Sequence, residues 1–134
     1  MRQGSKRRSG IGLSAATLLA GVIALAACGV SSHSLTTQQV PGGDAGRGKQ
    51  AMRRLGCGSC HAIPGIADAR GDVGPSLSGM GDRRFVAGML SNNPANLMHW
   101  LQDPQSVVPG NAMPNQGVTE AEARDMAAYL YTLK

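Results

Sequence analysis

One stretch of five residues, Cys57-Gly58-Ser59-Cys60-His61, limits what this chain can fold into more than any other feature of its sequence. Two thiols three positions apart can each add to one vinyl group of a single porphyrin, and the adjacent imidazole then lies beneath the iron as an axial ligand. The spacing predicts one covalently attached haem, held by Cys57 and Cys60, with His61 on the iron. A fold built on this site must enclose a large apolar cofactor.

Two other kinds of site also use a Cys-x-x-Cys pair. A thiol redox pair belongs near a βαβ pattern, and half of a zinc site needs a second Cys or His pair downstream. The only histidine after the motif is His99, and the third cysteine, Cys28, lies far upstream. Because neither context is present, the motif favours haem attachment.

The composition suits one small domain with a cofactor at its centre. A chain of 134 residues is long enough for one domain and too short for two. Aromatic residues make up only 3% of the sequence, which is few for a core unless a cofactor fills it.

The basic net charge of +5 comes mainly from the start of the chain. Four of the thirteen basic residues lie in the first eight positions, and from Cys28 onward nine basic residues face eight acidic ones. This near balance removes the argument for a nucleic-acid partner and leaves only local patches as docking sites.

Residues 1–27 have the three parts of a secretory signal peptide: a basic segment, an apolar run and small residues at its end. The stretch Leu25-Ala26-Ala27-Cys28 resembles the lipobox of bacterial lipoproteins, in which the cysteine becomes the lipidated first residue. The alternatives are cleavage after Ala27 without lipid and an uncleaved anchor helix. Seventeen apolar residues at ~1.5 Å each span ~26 Å, slightly less than the ~30 Å hydrocarbon core. With Cys28 lipidated and the other two cysteines bound to haem, no structural disulfide is expected.

Residues 29–43 are uncharged, polar and without helical or strand period, so residues 28–43 are predicted to be the lipidated cysteine and a flexible tether. A first helix follows, capped by Asp44. Its apolar stripe of Gly48, Ala51, Met52 and Leu55 leads directly to the haem motif. Gly48 costs the helix about 1 kcal/mol relative to alanine, which predicts the close approach of another helix.

Other elements follow from caps and turn residues. Asn93-Pro94 supplies a cap and a first-turn proline, which predicts a helix from Pro94 to Asp103. A Thr-x-x-Glu capping box at Thr119 predicts a last helix running nearly to Lys134. A short helix is predicted from Phe85 to Leu90. The stretches between, 62–81 and 104–117, are rich in glycine and proline and are predicted to be loops.

From Gly43 to the end, an ordered series of elements resembles the class I c-type cytochromes. The series consists of the Gly48 helix, the haem motif, Val73-Gly74-Pro75, Leu97 to Pro104, Pro109 to Met113, and Ala128-Tyr129-Leu130. The departures are Trp100, where many members carry tyrosine, and a slightly long loop between His61 and Pro75. The resemblance implies an all-α fold over residues 44–134, with helices packed around one covalently attached haem.

The family also implies roles for single residues. The Pro75 carbonyl would accept the Nδ1 proton of His61, fixing the ring and raising its basicity; an ordinary turn proline is the alternative. Gly48 and Tyr129 would meet where the first and last helices cross. Trp100 would either donate its indole N–H toward a ligand sulfur or pack on the haem. Arg83 and Arg84 are predicted surface charges, although one could pair with a haem propionate.

Met113 is the predicted second iron ligand. Five methionines follow the motif: Met80, Met89, Met98, Met113 and Met126. Three of them lie in predicted helices, where a thioether is more often core filler than ligand. Met113 lies in a proline-flanked loop between two helices, and Met80, in a glycine-flanked loop nearer the motif, is the alternative. His99 points away from the apolar face of its helix and is the less favoured third candidate.

A histidine and a thioether saturate the iron, which predicts one-electron transfer rather than substrate chemistry and hence no enzymatic activity. The predicted function is an exported electron carrier, lipid-anchored on the periplasmic or outer side of the cytoplasmic membrane. Its predicted partners are a respiratory oxidase, reductase or dehydrogenase, with no nucleic acid; it is a free carrier or the electron-entry subunit of a complex. The alternative is a haem protein with a labile Met113 that reduces peroxide or binds a gas.

Overall fold

The computed structural model describes residues 38–134. Within this range there are four helices, α1 (Ala45–Arg54), α2 (Pro94–Gln102), α3 (Pro104–Val107) and α4 (Glu120–Leu130), and two short strands, β1 (Phe85–Val86) and β2 (Leu90–Ser91), which pair antiparallel. Two 3₁₀ turns, Cys57–Ser59 and Met80–Asp82, lie between α1 and β1. The predicted signal peptide, Cys28 and most of the predicted tether lie outside the described residues.

The three long helices begin where their caps predict. The side chain of Asp44 accepts a hydrogen bond from the Arg47 N–H, and that of Asn93 accepts one from the Asn96 N–H. Thr119 and Glu122 form the reciprocal capping box, in which each side chain bonds the other residue's backbone N–H. These caps satisfy backbone donors that have no partner within the helix, and the predicted starts are confirmed.

α1 and α4 cross at Gly48. A Cβ atom on Gly48 would lie 2.0 Å from the carbonyl oxygen of Asp125, so only glycine permits this approach. The predicted close approach of a second helix is confirmed, and its nearest backbone is that of Asp125, one turn before Tyr129. Beside the crossing, the Asp125 carboxylate accepts hydrogen bonds from the Asp44 N–H and from two nitrogens of Arg47. The crossing fixes α1, and with it the haem motif that follows, on the C-terminal helix.

The structure differs from the sequence prediction in four places. Residues 85–90 form a hairpin rather than a helix, because Ala87 and Gly88 both have positive φ, at 53° and 69°. That pair of left-handed residues makes a tight strand-to-strand turn. α4 ends at Leu130, with Tyr131 as its cap, rather than near Lys134.

The other two differences concern loops. The stretch after Asp103 begins with a one-turn helix, α3, because the Asp103 carboxylate accepts a hydrogen bond from the Ser106 N–H. The last residues of the predicted tether pack on the domain. Val40 is buried, and the Gln38 amide donates a 2.6 Å hydrogen bond to the Asn92 carbonyl.

The core is formed mainly by α1, α2, α4 and the residues after α4. Its largest fully buried side chains are Tyr131, Met52, Leu97, Met126, Leu130 and Val86. No helix in residues 38–134 is long and apolar enough to cross a membrane. The fold is the one that the resemblance to class I c-type cytochromes implies, with helices packed around one core, and the small hairpin is added to it.

Candidate haem site

The end of α1 delivers the Cys-x-x-Cys-His motif. Leu55 closes the helix, and Gly56 follows in the left-handed conformation with φ 71°, where glycine carries no steric penalty. The chain then tightens into the 3₁₀ turn Cys57–Ser59, and the His61 N–H donates a 3.0 Å hydrogen bond to the Cys57 carbonyl. Both thiols and the imidazole therefore come from one compact turn anchored to the helix.

The loop after the motif folds back against it. The Gly71 N–H donates to the Gly58 carbonyl at 3.0 Å, and the Gly74 N–H donates to the Cys60 carbonyl at 2.8 Å. A Cβ on Gly71 would lie 2.4 Å from the Cys60 carbonyl carbon, so the two backbones are in direct contact. This packing leaves little freedom to the turn that carries the cysteines.

His61 is held in one orientation by Pro75. Its Nδ1 lies 2.7 Å from the Pro75 carbonyl oxygen. Because a carbonyl can only accept, Nδ1 carries the proton and Nε2 keeps its lone pair, the form needed to bind a metal. Gly74 packs on the ring, since a Cβ there would lie 2.3 Å from His61 Cε1. This is the contact that the family resemblance implies for Pro75.

A cavity of about 410 Å³ opens beside the motif. Its wall includes all six residues of the domain that the sequence singles out: Cys57, Cys60, His61, Pro75, Trp100 and Met113. Apolar side chains from α1, α2, the hairpin and α4 complete it, among them Met52, Leu97, Leu101, Val86 and Leu130. The volume is within the range of small-molecule and cofactor pockets, and the lining suits a large apolar ring.

Both cysteines of the motif are free thiols at the cavity wall, half-buried and available for thioether formation. Burial raises the pKa of the Cys57 thiol. In residues 38–134 no group of three or more His, Cys, Asp or Glu side chains is placed to hold a metal ion. Two thiols and one imidazole on a single turn are the donor set of a haem attachment site.

Three methionines contribute to the cavity wall: Met52, Met80 and Met113. Met52 lies within α1, and Met80 is only 5% exposed and belongs to the hydrophobic core. Met113 lies on the 108–114 loop and only packs against that core from its edge. Of the other candidates, Met89 is exposed on the hairpin, Met126 is buried in α4 and His99 is exposed, with its ring 3.0 Å from the Ser106 hydroxyl.

Two residues at the site, Asn92 and Gln105, were not predicted. Arg83, which the sequence predicts to be a surface charge that could pair with a haem propionate, is the one fixed charge among the described residues of the cavity wall, and its guanidinium donates to the carbonyls of Ser76 and Ser78. Asn92 is buried and its amide donates 2.9 Å hydrogen bonds to the carbonyls of Met80 and Arg83. Its Oδ1 accepts from the Tyr131 hydroxyl at 2.9 Å. Asn92 therefore ties the turn that carries Met80 and Arg83 to the C-terminal segment.

Gln105 on α3 is the other unpredicted residue. Its amide nitrogen donates to the carbonyls of Asn111 and Met113, at 3.0 and 2.7 Å. The sequence signal for its helix is Asp103-Pro104, which repeats the cap and first-turn proline of Asn93-Pro94. Nothing local in the sequence indicates which backbone groups Gln105 binds.

Comparisons with known proteins identify the family of this chain. The family model described as Cytochrome c matches residues 45–134. The chain belongs to the cytochrome c family. It is 32% identical over 104 residues to cytochrome c2 of Agrobacterium tumefaciens, covering 66% of this chain and 90% of that protein. The structure of cytochrome cH from Methylobacterium extorquens superposes with a TM-score of 0.51 and 30% identity, covering 67% of this chain and 99% of that one.

A second group of relatives consists of proteins that are longer than this chain. The chain is 38% identical over 91 residues to cytochrome c oxidase subunit 2 of Alkalihalophilus pseudofirmus, and 34% identical over 93 residues to that of Bacillus subtilis. These matches cover 67% and 66% of this chain, but the chain spans only 26% of the length of either subunit. Membership of the cytochrome c family gives this protein one covalently attached haem c.

Proposed function

We propose that this cytochrome c carries single electrons to a respiratory oxidase, with Cys57 and Cys60 attaching the haem and with His61 and Met113 as its axial ligands. The observation that supports this most is the cavity whose wall contains both thiols, the oriented imidazole and the Met113 loop. When bound, the haem supplies a one-electron couple. The residues of the chain set the environment of that couple.

Each residue has a definite task in this proposal. Pro75 accepts the Nδ1 proton and keeps His61 Nε2 directed at the metal position. Met113 would hold the haem iron together with His61, which would leave no open site for a substrate, so electron transfer is proposed rather than enzymatic activity. A soft thioether favours the reduced form and raises the potential. Arg83, the charged residue of the wall, would pair with a propionate carboxylate.

The partner and the location are further parts of the proposal. Relatives named cytochrome c oxidase subunit 2 contain a region like this whole domain, so we expect the separate protein to serve the same kind of oxidase. The sequence of residues 1–28 supports export, cleavage and lipidation at Cys28 on the outer side of the cytoplasmic membrane. Mass spectrometry of the mature N-terminus tests the anchor, since an intact Met1 would contradict it.

The ligand assignment is tested with Met113→Ala and with Met80→Ala as the matched control in the same cavity. Met113→Ala should abolish the sulfur-to-iron charge-transfer band of the oxidised protein, lower the reduction potential and let carbon monoxide bind the reduced protein. Met80→Ala should leave all three nearly unchanged. The reverse pattern would make Met80 the ligand.

The function is tested by oxidase turnover. The reduced wild-type protein should support oxygen consumption by an oxidase of the host membrane, and the Met113→Ala variant should support it less well. Rapid carbon monoxide binding or peroxide reduction by the wild-type protein would instead favour the alternative, a haem protein with a labile Met113.

A further inference from the structure

The loop that carries Met113 is held to α3 by two side-chain amides. Gln105 makes three hydrogen bonds: its Nε2 donates to the Asn111 carbonyl at 3.0 Å and to the Met113 carbonyl at 2.7 Å, and its Oε1 accepts from the Gly110 N–H at 3.1 Å. Asn111 completes the network by donating to the carbonyls of Pro104 and Val108, at 2.9 and 2.6 Å.

The hydrogen-bond partners of Gln105 fix the orientation of its side-chain amide. Two carbonyl oxygens face one end and a backbone N–H faces the other, so the reverse orientation would put donor against donor and acceptor against acceptor. The Met113 N–H is also fixed, because it donates to the Asn111 Oδ1 at 2.7 Å. Both backbone groups of Met113 are therefore bound by these two amides.

Other contacts hold the base of the network. Asp103 caps α3, and its carboxylate also accepts a 3.0 Å hydrogen bond from the Asn115 amide beyond the loop. Hydrogen bonds from Asn115 and Ser106 lower the pKa of Asp103, which stays ionised at neutral pH. Hydrogen bonds at both of its ends therefore hold α3, and the Met113 loop is bonded to it through Gln105.

We propose that Gln105 is a positioning residue for the distal side of the haem, which keeps the Met113 thioether at bonding distance from the iron. This inference rests on the proposed ligation by Met113. A thioether is a weak ligand whose bond opens when its loop relaxes, so hydrogen bonds that restrain the loop suppress the open state. The family resemblance predicts Met113 but says nothing of Gln105.

The experiment compares Gln105→Leu, which removes all three hydrogen bonds, with Gln102→Leu, which changes the same residue type on α2. In residues 38–134 Gln102 makes no side-chain hydrogen bond and it does not line the cavity. Gln105→Asn is a second variant, which keeps an amide but is one methylene too short for the same contacts. All are measured as folded proteins with haem attached.

We expect Gln105→Leu to bind carbon monoxide in the reduced state about tenfold more tightly than the wild type, because the hydrogen bonds that restrain the loop are lost. Its sulfur-to-iron band should weaken and should be lost on heating at a lower temperature than the helical circular dichroism. Gln105→Asn should change in the same direction, and Gln102→Leu should match the wild type in every readout.

Each result separates the two proposals. If Met113→Ala removes the band while both Gln105 variants keep wild-type carbon monoxide affinity and band stability, Met113 is the ligand and the role of Gln105 is refuted. If the band survives in Met113→Ala, the ligation proposal fails and the Gln105 inference fails with it. If band and circular dichroism melt together in Gln105→Leu and Gln105→Asn, Gln105 supports the fold in general and not the ligand.

Discussion

The His61 ring is fixed on two sides, by a hydrogen bond at Nδ1 and by the backbone of Gly74 against its edge. The neighbouring residues Gly74 and Pro75 therefore hold the His61 ring in different ways. Pro75 contributes a carbonyl oxygen, which any residue type could provide, whereas Gly74 contributes the absence of a side chain. Position 74 should consequently be less tolerant of substitution than position 75.

A pair of variants tests this difference. Gly74→Ala would bring a Cβ to 2.3 Å from His61 Cε1, so the ring must move away from its place, and the proposed bond from His61 to the iron would weaken. We expect a lower yield of protein with haem attached and an altered absorption spectrum. Pro75→Ala keeps the carbonyl and should change both properties much less. Equal losses in the two variants would show that the turn conformation set by proline matters more than contact with the ring.

Tyr131 contributes to the fold through its side-chain hydroxyl group. It is 0% exposed, and its hydroxyl donates to Asn92, whose amide holds the turn of Met80 and Arg83. Tyr131→Phe leaves the buried Asn92 Oδ1 without its donor and should cost about 1–3 kcal/mol of unfolding free energy at pH 8.

The same variant has a defined pH dependence. Burial raises the pKa of Tyr131 to about 12, so the folded protein keeps this proton in a range where the unfolded chain loses it, from pH about 10 upward. The wild type therefore loses stability as pH rises from 10 to 12, and Tyr131→Phe lacks this loss. Urea unfolding of both proteins at pH 8 and pH 11 should show the gap in stability narrowing. A constant gap would show that the hydroxyl ionises normally.

At the scale of whole elements, the capping residues alone predict where the three long helices begin. Residue types next to one another in the sequence do not predict the structure of several loops. Asp44, Asn93 and Thr119 cap their helices through contacts three residues away, which a sequence pattern records directly. The hairpin depends on Ala87 adopting a positive φ of 53°, which alanine rarely does. Its sequence contains no Asn-Gly or Asp-Gly pair, which would indicate a hairpin turn, so the sequence alone does not predict the hairpin.

At the haem site, too, the sequence predicts some of the important residues and not others. The thiols, His61 and the Met113 loop could be singled out because motif spacing and loop context mark them. Asn92 and Gln105 bind groups whose positions exist only in the folded chain. The partners of the Asn92 side chain lie 9, 12 and 39 residues away along the sequence, and those of Gln105 lie 5, 6 and 8 residues away. An amide side chain alone gives no indication of such partners.

Gly48 permits a prediction about the crossing of α1 and α4. Gly48→Ala places a Cβ 2.0 Å from the Asp125 carbonyl oxygen and must push the helices apart. We expect a loss of about 1–3 kcal/mol in unfolding free energy from this overpacking, although alanine is intrinsically favoured in a helix by about 1 kcal/mol. Chemical denaturation of the haem-bearing protein measures it.

The matched control lies in the same helix. Gly46 is exposed in the first turn of α1, and a Cβ there would lie 3.2 Å from the Asp44 carboxylate, which needs to shift only slightly. Gly46→Ala should be neutral or stabilising. If both variants were equally tolerated, the two helices would not be in the close contact that positions the haem motif.

Considered as a whole molecule, the domain carries almost no net charge, since residues 38–134 contain nine basic and eight acidic residues. The cavity wall has a single fixed charge, on Arg83. Long-range electrostatic steering needs a strong field of one sign, and neither the domain nor its haem site supplies one. The lipid anchor that we propose at Cys28 would reduce the need for steering, because an anchor keeps the local concentration of a protein near its partner high.

The rate of electron exchange with the oxidase should therefore depend only weakly on salt. We expect the second-order rate constant to change by less than about tenfold between low and physiological ionic strength, whereas steered pairs gain 10–10³-fold in rate from their fields and lose it as salt is added. Stopped-flow oxidation of the reduced protein measures this, and a neutral small-molecule oxidant serves as the control for salt effects on the haem itself.

A fall in the rate constant on the order of 10²-fold with the oxidase alone would reveal a charged docking patch on one face. The exposed Arg53 at the end of α1, next to the haem motif, would then be the first residue to reverse in charge, because its neighbour Arg54 is already paired with Glu122.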